Sequence, residues 1–478
     1  MRRGLGKLSL AAAIAVALGL ALRLWFLAHA AVIAGDTLIY GDIARTLLQH
    51  GVYGFSSDPV PTPTLIRLPG YPLFLALCFR LFGLEHYTAV ILVQIALDLL
   101  GCLLLAALAR RIFSTRVALA ALFLAALCPF TASYVASPLT ETLALLSMAI
   151  VFYALHRWLN ASAARPWNLW LWALSLALGY SILLRPDQGL LAAAVLPAML
   201  WFRSAHPSRL SLRPALPVVA AALCTLLPLV PWTIRNWHTF HLFQPLAPRY
   251  ATDPGEQIPL GFQRWFRSWG IDFTSTEDVY WKYDGATIQI SDLPNRAFDS
   301  PEQYAETEAL LDDYNLTTNP SPALDARFNA IARQRIAANP LRYYVALPVA
   351  RLLDMLLRPR TEMLPISLAW WQWQDHPGSS AFAVVYAALN LAWLTAGLAG
   401  LWRWDRHSAG TVGRALPWAM LVFIALRCAL LLTLDNAEPR YTLEFFPPLT
   451  LGIAALLHLR ARQGQGSGSS AAPLAHHS

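Results

Sequence analysis

The sequence predicts an all-α polytopic membrane protein of about 10 to 12 helical spans, and three observations support this fold class. Of the 478 residues, 56% are hydrophobic and only 13% are charged, and the mean hydropathy is +0.45. Apolar runs of about twenty residues, long enough to cross a hydrocarbon core, recur along most of the chain. Helices are the expected form of these runs, because a backbone amide in lipid must find its partner within its own segment.

Ten apolar runs are the predicted spans, and two shorter runs accompany them. The ten lie at 8–31, 87–109, 117–136, 139–158, 167–184, 188–202, 212–232, 381–402, 415–434 and 443–459. For the shorter runs at 71–82 and 343–357, half-helices, interfacial helices and true spans all stay open. The first run follows a basic start, as in a secretory signal, but its length and the many later spans favour a retained anchor.

Composition also narrows the function classes. The net charge of +8 comes almost entirely from arginines between apolar runs, which membrane orientation explains better than nucleic-acid binding does. All five cysteines lie inside apolar stretches, where a thiol behaves as a small hydrophobe. We therefore expect no nucleic-acid partner, no disulfide framework and no cysteine-based metal site.

Arginine and lysine predict the orientation of the chain. They collect at one set of span ends, around residues 2–7, 110–116, 157–165, 203–213, 403–414 and 460–462. Short loops this basic stay in the cytoplasm. The sequence thus predicts a multi-pass plasma-membrane protein with both termini in the cytoplasm and its active surface on the outer face.

The same assignment divides the chain into four parts. Residues 1–232 form an N-terminal transmembrane catalytic module with a first outer loop at 34–70, and residues 233–380 form an extracytoplasmic cap. C-terminal spans follow at 381–462, and a disordered tail is expected at 463–478 because it is rich in Gly, Ser and Ala. The cap contains an amphipathic helix in which Leu324, Phe328, Ile331 and Arg335 recur at helical spacing.

The first outer motif, GDTLIYGD at 35–42, supplies the leading catalytic candidate. Asp36 and Tyr40 share a helix face at i and i+4, whereas Asp42 is better placed to pair with Arg45 at i+3. The alternative is that Asp36 or Thr37 only caps the helix that begins there. We take Asp36 as the candidate acid and Tyr40 as a candidate substrate-binding residue.

Two further motifs reach the same outer face. Arg67 and Tyr71 lie in RLPGYP, where proline and glycine would position the arginine, although an interfacial arginine with its head in water is the alternative. Glu141 lies in SPLTE in the first turn of a predicted helix, where the helix dipole favours a carboxylate whatever its role.

The remaining candidates come from later turns. Arg185 and Asp187 in LRPDQ are candidate substrate-binding residues, although a helix start explains their residue types equally well. The densest cluster, AEPRY, supplies the candidate substrate-binding residues Glu438, Arg440 and Tyr441.

The first span also contains a charged residue. Arg23 lies well inside the apolar run, where an ionisable residue indicates function by default and snorkelling to the surface is the alternative. Asp98, with Gln94 one turn before it, is a possible partner within the bundle.

Carboxylates and arginines together at an outer membrane surface suit a reaction between a lipid phosphate and an acceptor. Arginine binds phosphate through charge-assisted bonds and stabilises the charge that develops as it leaves. If the lipid phosphate carries a sugar, a carboxylate on the side of the sugar opposite the phosphate accepts the proton of the acceptor hydroxyl, as a general base. Asp36 suits the second role.

On these motifs the chain resembles the membrane-embedded GT-C glycosyltransferases. The resemblance is to bacterial family 39-type proteins related to protein O-mannosyltransferases and to aminoarabinose transferases of lipid A. It rests on the order of GDTLIYGDIARTLLQHG, RLPGYPLFLAL, SPLTETLALL, LLRPDQG and AEPRYTLEFFPPL. It implies a GT-C bundle, a polyprenyl-phosphate sugar donor, a protein, lipid or glycan acceptor, and inversion at the anomeric carbon.

The resemblance also implies residue roles. Asp36 takes the place of the proposed catalytic base, Glu141 that of the later acid, and Arg67 that of a basic residue at the donor phosphate. The family often has two adjacent acids in the first loop, whereas here Thr37 follows Asp36, so the second role moves to Glu141 or Asp42. No histidine cluster joins these acids, so the sequence establishes no cofactor and leaves a divalent metal possible.

Two alternatives from other classes stay open. A transporter or flippase of lipid-linked sugars would use the same arginines, but the sequence has no convincing internal repeat and its charged motifs collect at one face. A non-catalytic scaffold is the other alternative, but it would not explain why acids and arginines collect at that face.

Overall fold

The computed structural model describes residues 2–57, 59–162, 164–204 and 215–468 of the chain. The chain forms two compact units. The first comprises Met1–Asp253, Ala392–Ile424 and Leu443–Ser478, and the second comprises Pro254–Leu391 and Ala425–Thr442.

The first unit begins with eleven helices in the part of the chain that the structure describes. They are α1 (Arg2–His29), α2 (Asp36–His50), α3 (Gly70–Phe82), α4 (Tyr87–Ile112), α5 (Thr115–Ala126), α6 (Pro129–Tyr134), α7 (Glu141–Ala161), α8 (Leu169–Leu184), α9 (Gly189–Ser204), α10 (Leu216–Leu226) and α11 (Leu229–Phe240). A two-residue hairpin, β1 (Gly54–Phe55) with β2 (Thr62–Pro63), pairs antiparallel with Gly54 opposite Pro63. Helix α2 ends where Gly51 adopts the left-handed conformation that favours glycine.

The second unit contains shorter helices. They are α12 (Leu260–Arg267), α13 (Phe273–Ser275), α14 (Pro301–Asn315), α15 (Pro322–Ala338) and α16 (Leu347–Leu357). Three helices complete the chain: α17 (Pro377–His407) and α18 (Gly410–Leu431), through which the division between the units passes, and α19 (Phe446–Gly468) in the first unit.

Helices long and apolar enough to span a membrane confirm a multi-pass membrane protein. The described residues contain seven, at Leu8–His29, Tyr87–Ile112, Glu141–Ala161, Leu216–Phe240, Pro377–His407, Gly410–Leu431 and Pro439–Gln463. Three predicted runs correspond to the shorter apolar helices α3, α5 and α8. The bundle therefore combines full-length helices with shorter ones.

The predicted span at 117–136 is wrong in its second half. Helix α5 ends at Ala126, and α6 begins at Pro129. Proline lacks an amide hydrogen and disfavours helical geometry in the residue before it, and Cys128 is accordingly extended at ψ 108°.

Two other predicted boundaries also need correction. The run predicted at 212–232 corresponds to α10 and α11, the second of which ends at Phe240 rather than at Trp232, and 212–214 lie outside the described residues. Helix α19 continues to Gly468, into the tail expected to be disordered, whose residues 469–478 lie outside the described residues.

Arg23 and Asp98 form a buried ion pair within the first unit. Arg23 donates through Nε to Asp98 at 2.6 Å and through Nη1 to the carbonyls of Gly19 and Ala126 at 2.8 and 2.7 Å. The arginine is 1% exposed, so it does not snorkel to the membrane surface. The expected partner Asp98 is confirmed, and the charge of Arg23 is neutralised where it lies.

Aromatic side chains build the core of the second unit. Trp265, Trp269, Phe266, Phe262 and Phe328 are all buried in one cluster that joins α12 to α15. Helix α15 begins with a side-chain cap, because the hydroxyl of its preceding serine accepts the amide hydrogen of Leu324. The predicted amphipathic face over this helix is present.

Arg335 on α15 lies at the centre of that core. It is 1% exposed and donates to the Ser268 hydroxyl at 3.0 Å, to the Gln303 amide oxygen at 2.6 Å and to the Ala297 carbonyl at 2.7 Å. Asp299 lies 3.2 Å away and supplies a carboxylate. One buried guanidinium thus links three separate segments of the unit.

Replacing Arg335 with methionine is expected to destabilise the second unit by about 3 kcal/mol or more, because buried acceptors lose their donor. Limited proteolysis and thermal unfolding of the purified protein measure this change. Arg333→Met, an exposed position on the same helix, is the matched control and should have little effect. Equal stability of the two variants would contradict a central role for Arg335.

Candidate active site

Asp36 begins α2 immediately after the extended segment that follows the first span. The preceding Gly35 is the N-cap residue at φ 54°. The Asp36 carboxylate accepts a bond from Arg67 Nη2 at 2.7 Å. Asp36 is therefore the first residue inside the helix rather than its N-cap residue.

The Asp36–Arg67 ion pair is partly accessible. The two side chains are 22% and 20% exposed, so a ligand at the surface reaches them while much of each stays shielded from water. The hydroxyl of Thr37 donates to the carbonyl of Pro138 at 3.3 Å, which ties the start of α2 to the loop before α7. The sequence assigned these two charges to separate roles, and the structure pairs them directly.

Several hydrogen bonds hold the segment that carries Arg67. Arg235 donates to the carbonyls of Thr64 and Tyr53 at 2.7 and 2.6 Å. Asp253 accepts the amide hydrogen of Leu65 at 2.9 Å, and the Tyr53 hydroxyl donates to the Arg67 carbonyl at 3.0 Å. Arg67 is therefore positioned by its backbone, which argues against a freely moving interfacial side chain.

Sequence reasoning did not single out Arg235, which lies in WTIRNW at 232–237. Its guanidinium lies 5.2 to 5.3 Å from the ring centroids of Tyr53, Trp232 and Phe240, which is cation–π distance. Burial raises the pKa of Tyr53 well above its usual value, so its phenol stays protonated as a donor. The aromatic residues flanking an outer arginine were the available indication.

Tyr40 and Tyr71 stand behind the ion pair. The Arg67 guanidinium lies 5.8 Å from the Tyr40 ring centroid, and Tyr40 packs edge-on against Tyr71. Tyr71 is fully buried and donates its hydroxyl to Gln94 at 2.7 Å. Tyr71, expected at the substrate, thus packs beneath Tyr40, and Gln94 serves Tyr71 rather than Arg23.

Asp42 has the structural role predicted for it. Its carboxylate pairs with Arg45 at 2.5 Å, and Arg45 also contacts Glu85 at 3.1 Å. The charge of Asp42 is thus engaged one turn beyond Asp36.

Arg185 forms the second charged cluster, and three carboxylates surround it. Glu141 lies at 2.8 Å, Asp187 at 3.2 Å and Glu444 at 3.8 Å, and Gln188 donates to Glu444 at 2.9 Å. Burial lowers the pKa of Arg185, but Asp187, Glu444 and Glu141 outweigh it and hold that pKa well above its usual value. The Arg185 guanidinium therefore stays charged among these three carboxylates.

The acids of this cluster differ in exposure. The side chains of Glu141 and Glu444 are 2% and 1% exposed, whereas that of Asp187 is 21% exposed. Three carboxylates exceed one guanidinium, so the cluster does not offer Arg185 to a phosphate group. Arg185, a candidate substrate-binding residue from the sequence, is therefore engaged by the acids of its own cluster.

A shared hydrophobic core positions both clusters. Buried Tyr40 from α2, Tyr71 from α3, Leu143 and Ala144 from α7 and Leu184 at the end of α8 belong to one cluster. One hydrophobic core therefore holds the helices that carry or adjoin Asp36, Arg67, Glu141 and Arg185.

Gly70 brings two of these elements together. A Cβ atom at Gly70 would lie 2.6 Å from the carbonyl carbon of Leu183, and the Tyr180 hydroxyl donates to the Gly70 carbonyl at 3.4 Å. Arg67 lies three residues before Gly70, and Arg185 lies two residues after Leu183. Only glycine permits this approach of two backbones.

Gly70→Ala is therefore expected to destabilise the first unit by about 1 to 3 kcal/mol, the usual cost of overpacking. Thermal unfolding of the purified protein measures the change. Gly189→Ala is the matched control, because it also starts a helix and a Cβ there meets nothing within 4 Å. A loss of stability at both positions, or at neither, would contradict the close approach.

The predicted residues Glu438, Arg440 and Tyr441 belong to the second unit. Glu438 is 4% exposed and pairs with Arg440, whose guanidinium lies 5.7 Å from the Tyr441 ring centroid. Arg427 donates to the Tyr441 carbonyl at 3.0 Å. Much of this motif's charge is thus engaged within its own segment.

No group of three or more histidine, cysteine, aspartate or glutamate side chains among the described residues is arranged to hold a metal ion. The carboxylates around Arg185 do not form such a group, because the guanidinium lies among them.

Comparison with known proteins gives one family match. Residues 62–233, slightly more than a third of the chain, match the family model described as dolichyl-phosphate-mannose-protein mannosyltransferase. The matched segment contains Arg67, Glu141, Arg185 and Asp187, whereas Asp36 precedes it. No curated protein matched the sequence.

Solved structures supply the fold. An oligosaccharyltransferase from Archaeoglobus fulgidus, in complex with Zn and sulfate, aligns with a TM-score of 0.50 at 14% identity, over 96% of this chain and 51% of that one. The chain has the GT-C fold. It spans about half the length of this oligosaccharyltransferase. The expected resemblance to GT-C glycosyltransferases is thereby confirmed.

Two other structures are similar over nearly the whole chain. ArnT from Cupriavidus metallidurans bound to undecaprenyl phosphate covers 95% of this chain and 79% of its own, at 17% identity and a TM-score of 0.39. AglB from Archaeoglobus fulgidus, in complex with an inhibitory peptide and a dolichol-phosphate, covers 99% and 53%, at 12% identity and a TM-score of 0.47.

Proposed function

We propose that this protein is a membrane glycosyltransferase that moves a sugar from a polyprenyl-phosphate donor to an acceptor on the outer face of the plasma membrane. The observation that carries the proposal is the Asp36–Arg67 pair at the exit of the first span, where a carboxylate and a guanidinium meet at 2.7 Å with partial exposure. The family match over residues 62–233, which concerns a dolichyl-phosphate-mannose enzyme, supports the class of donor.

The donor phosphate binds Arg67 in this proposal. A phosphate group competes with the Asp36 carboxylate for the same guanidinium, through charge-assisted bonds. The backbone contacts of Arg235 and Tyr53 keep the arginine at a fixed height at the end of the span. As the donor binds, the Asp36 carboxylate loses part of its hydrogen bonding to Arg67 and becomes a stronger base.

Transfer then follows as a single displacement. The acceptor hydroxyl gives its proton to Asp36 while its oxygen bonds to the anomeric carbon. The bond between that carbon and the phosphate oxygen breaks, and the electron pair leaves with polyprenyl phosphate, whose charge Arg67 stabilises. Attack opposite the leaving group inverts the anomeric configuration.

The second cluster would bind the hydroxyl groups of the sugar or the acceptor. Asp187 is the more exposed carboxylate, and Glu141 is held by Arg185 behind it. Carboxylate oxygens accept hydrogen bonds from hydroxyl groups, so the acidic excess favours a polar, uncharged ligand here. Tyr40, beside Arg67, would contact the donor, whereas Tyr71 would support Tyr40.

The proposal is tested with purified full-length protein in lipid nanodiscs supplied with radiolabelled polyprenyl-phosphate hexoses and pentoses. Crude envelope material, containing protein, lipid and glycan, provides the acceptor. Release of polyprenyl phosphate in step with labelled acceptor is the expected result, and the most active donor identifies the sugar. A donor that binds but stays intact would contradict the proposal and favour transport of lipid-linked sugars.

A further inference from the structure

A polar cavity lies at the arginine-rich ends of the first unit's helices, away from the Asp36 and Arg185 clusters. Its volume is about 290 Å³. Helices α4, α7, α17, α18 and α19 contribute to its wall. The polar side chains that line it include Arg111, His156, Asn160, His407, His458 and Arg462.

The charged side chains that line this cavity are arginines. Two arginines and three histidines line it, and none of its sixteen lining residues is Asp or Glu. Asp405 lies next to a lining residue in sequence, but its two oxygens accept from Arg414 at 3.1 and 3.0 Å. The nearby acid is therefore engaged with its own arginine, and the cavity carries an excess of positive charge.

Ordered neighbours fix parts of the wall. Arg111 donates through Nε to the Tyr153 hydroxyl at 2.9 Å, which orients its guanidinium. The Phe113 ring lies 5.1 Å from Trp404 and 5.3 Å from His458, centroid to centroid. Because hydrogen bonds and ring contacts hold this wall, the cavity is a formed recess and not a gap between mobile side chains.

We propose that this cavity binds the phosphate headgroup of an anionic membrane phospholipid. Arg111 and Arg462 contact the phosphate through charge-assisted bonds, and the histidines and Asn160 donate to the remaining oxygens. The cavity lies at the ends of helices that span the membrane, where lipid phosphates are present at high local concentration. This proposal is independent of the transfer reaction and uses none of its residues.

The test measures lipid binding to delipidated full-length protein in a neutral detergent by native mass spectrometry. Phosphatidylglycerol is titrated against phosphatidylcholine, and inorganic phosphate is added as a competitor in a separate series. The double variant R111Q/R462Q neutralises the cavity. R110Q/R460Q is the matched control, since it removes two exposed arginines from the same helices that do not line the cavity.

Wild type and R110Q/R460Q are expected to retain phosphatidylglycerol over phosphatidylcholine, and R111Q/R462Q to lose this preference at least tenfold. Equal losses in both double variants would overturn the proposal, because general surface charge would then explain binding. Absence of any preference in wild type would also overturn it. Displacement of the lipid by millimolar inorganic phosphate would assign the cavity to a soluble phosphate instead of a lipid.

Discussion

Replacing Asp36 with asparagine is expected to lower sugar transfer by about 100-fold to 10,000-fold, the usual contribution of a positioned general base. Asparagine has nearly the same shape and still offers an oxygen to Arg67, so the fold should persist. The measurement is single-turnover formation of polyprenyl phosphate in nanodiscs, read after quenching, which separates the chemical step from product release.

Asp42→Asn is the matched control for this prediction. Asp42 lies on the same helix, but its carboxylate is engaged by Arg45, which leaves it a structural rather than a catalytic acid. Its loss should leave the rate of transfer within a few-fold of wild type. If Asp36→Asn transferred sugar at the rate of wild type, the base would have to be another residue, with Glu141 the next candidate.

Arg185→Met is expected to produce the largest loss of stability in the first unit, about 3 to 5 kcal/mol, the usual effect of breaking a buried ion pair from one side. The change leaves Glu141 and Glu444, both nearly inaccessible to water, without their countercharge. Thermal unfolding of the purified protein, followed by tryptophan fluorescence, measures it.

Neutralising the acids tests the cause of that loss. The triple variant Arg185→Met, Glu141→Gln, Glu444→Gln removes the charges together and should recover a large part of the lost stability. A triple variant as unstable as Arg185→Met alone would show that packing around the side chain, rather than charge, determines the effect.

Local sequence patterns predicted the features that lie within one helix or one face. The i, i+3 spacing of Asp42 and Arg45 predicted their pair, and the depth of Arg23 in an apolar run pointed to a partner such as Asp98. In lipid an unpaired charge is very costly, so an intramembrane arginine strongly restricts what can lie beside it.

Local sequence patterns could not predict contacts between distant segments of the chain. Gln188 and Glu444 are 256 residues apart in the sequence, and nothing in either motif indicates that they meet. Arg67 was predicted at a phosphate and Asp36 at a hydroxyl, yet they bind each other at 2.7 Å. Both facts depend on how helices pack. The break before Pro129 has a local cause, because proline disfavours helical geometry in the residue before it, whereas apolar composition alone predicted one continuous span.

The competition between Asp36 and a phosphate for Arg67 is the central claim, and the affinity for polyprenyl phosphate, the leaving group of the reaction, tests it most directly. Binding of polyprenyl phosphate to wild type, Asp36→Asn and Arg67→Gln is measured in nanodiscs. We predict that Asp36→Asn binds at least as tightly as wild type, since Arg67 no longer has a carboxylate partner, and that Arg67→Gln binds at least tenfold more weakly. Weaker binding by Asp36→Asn, or unchanged binding by Arg67→Gln, would contradict the proposed site.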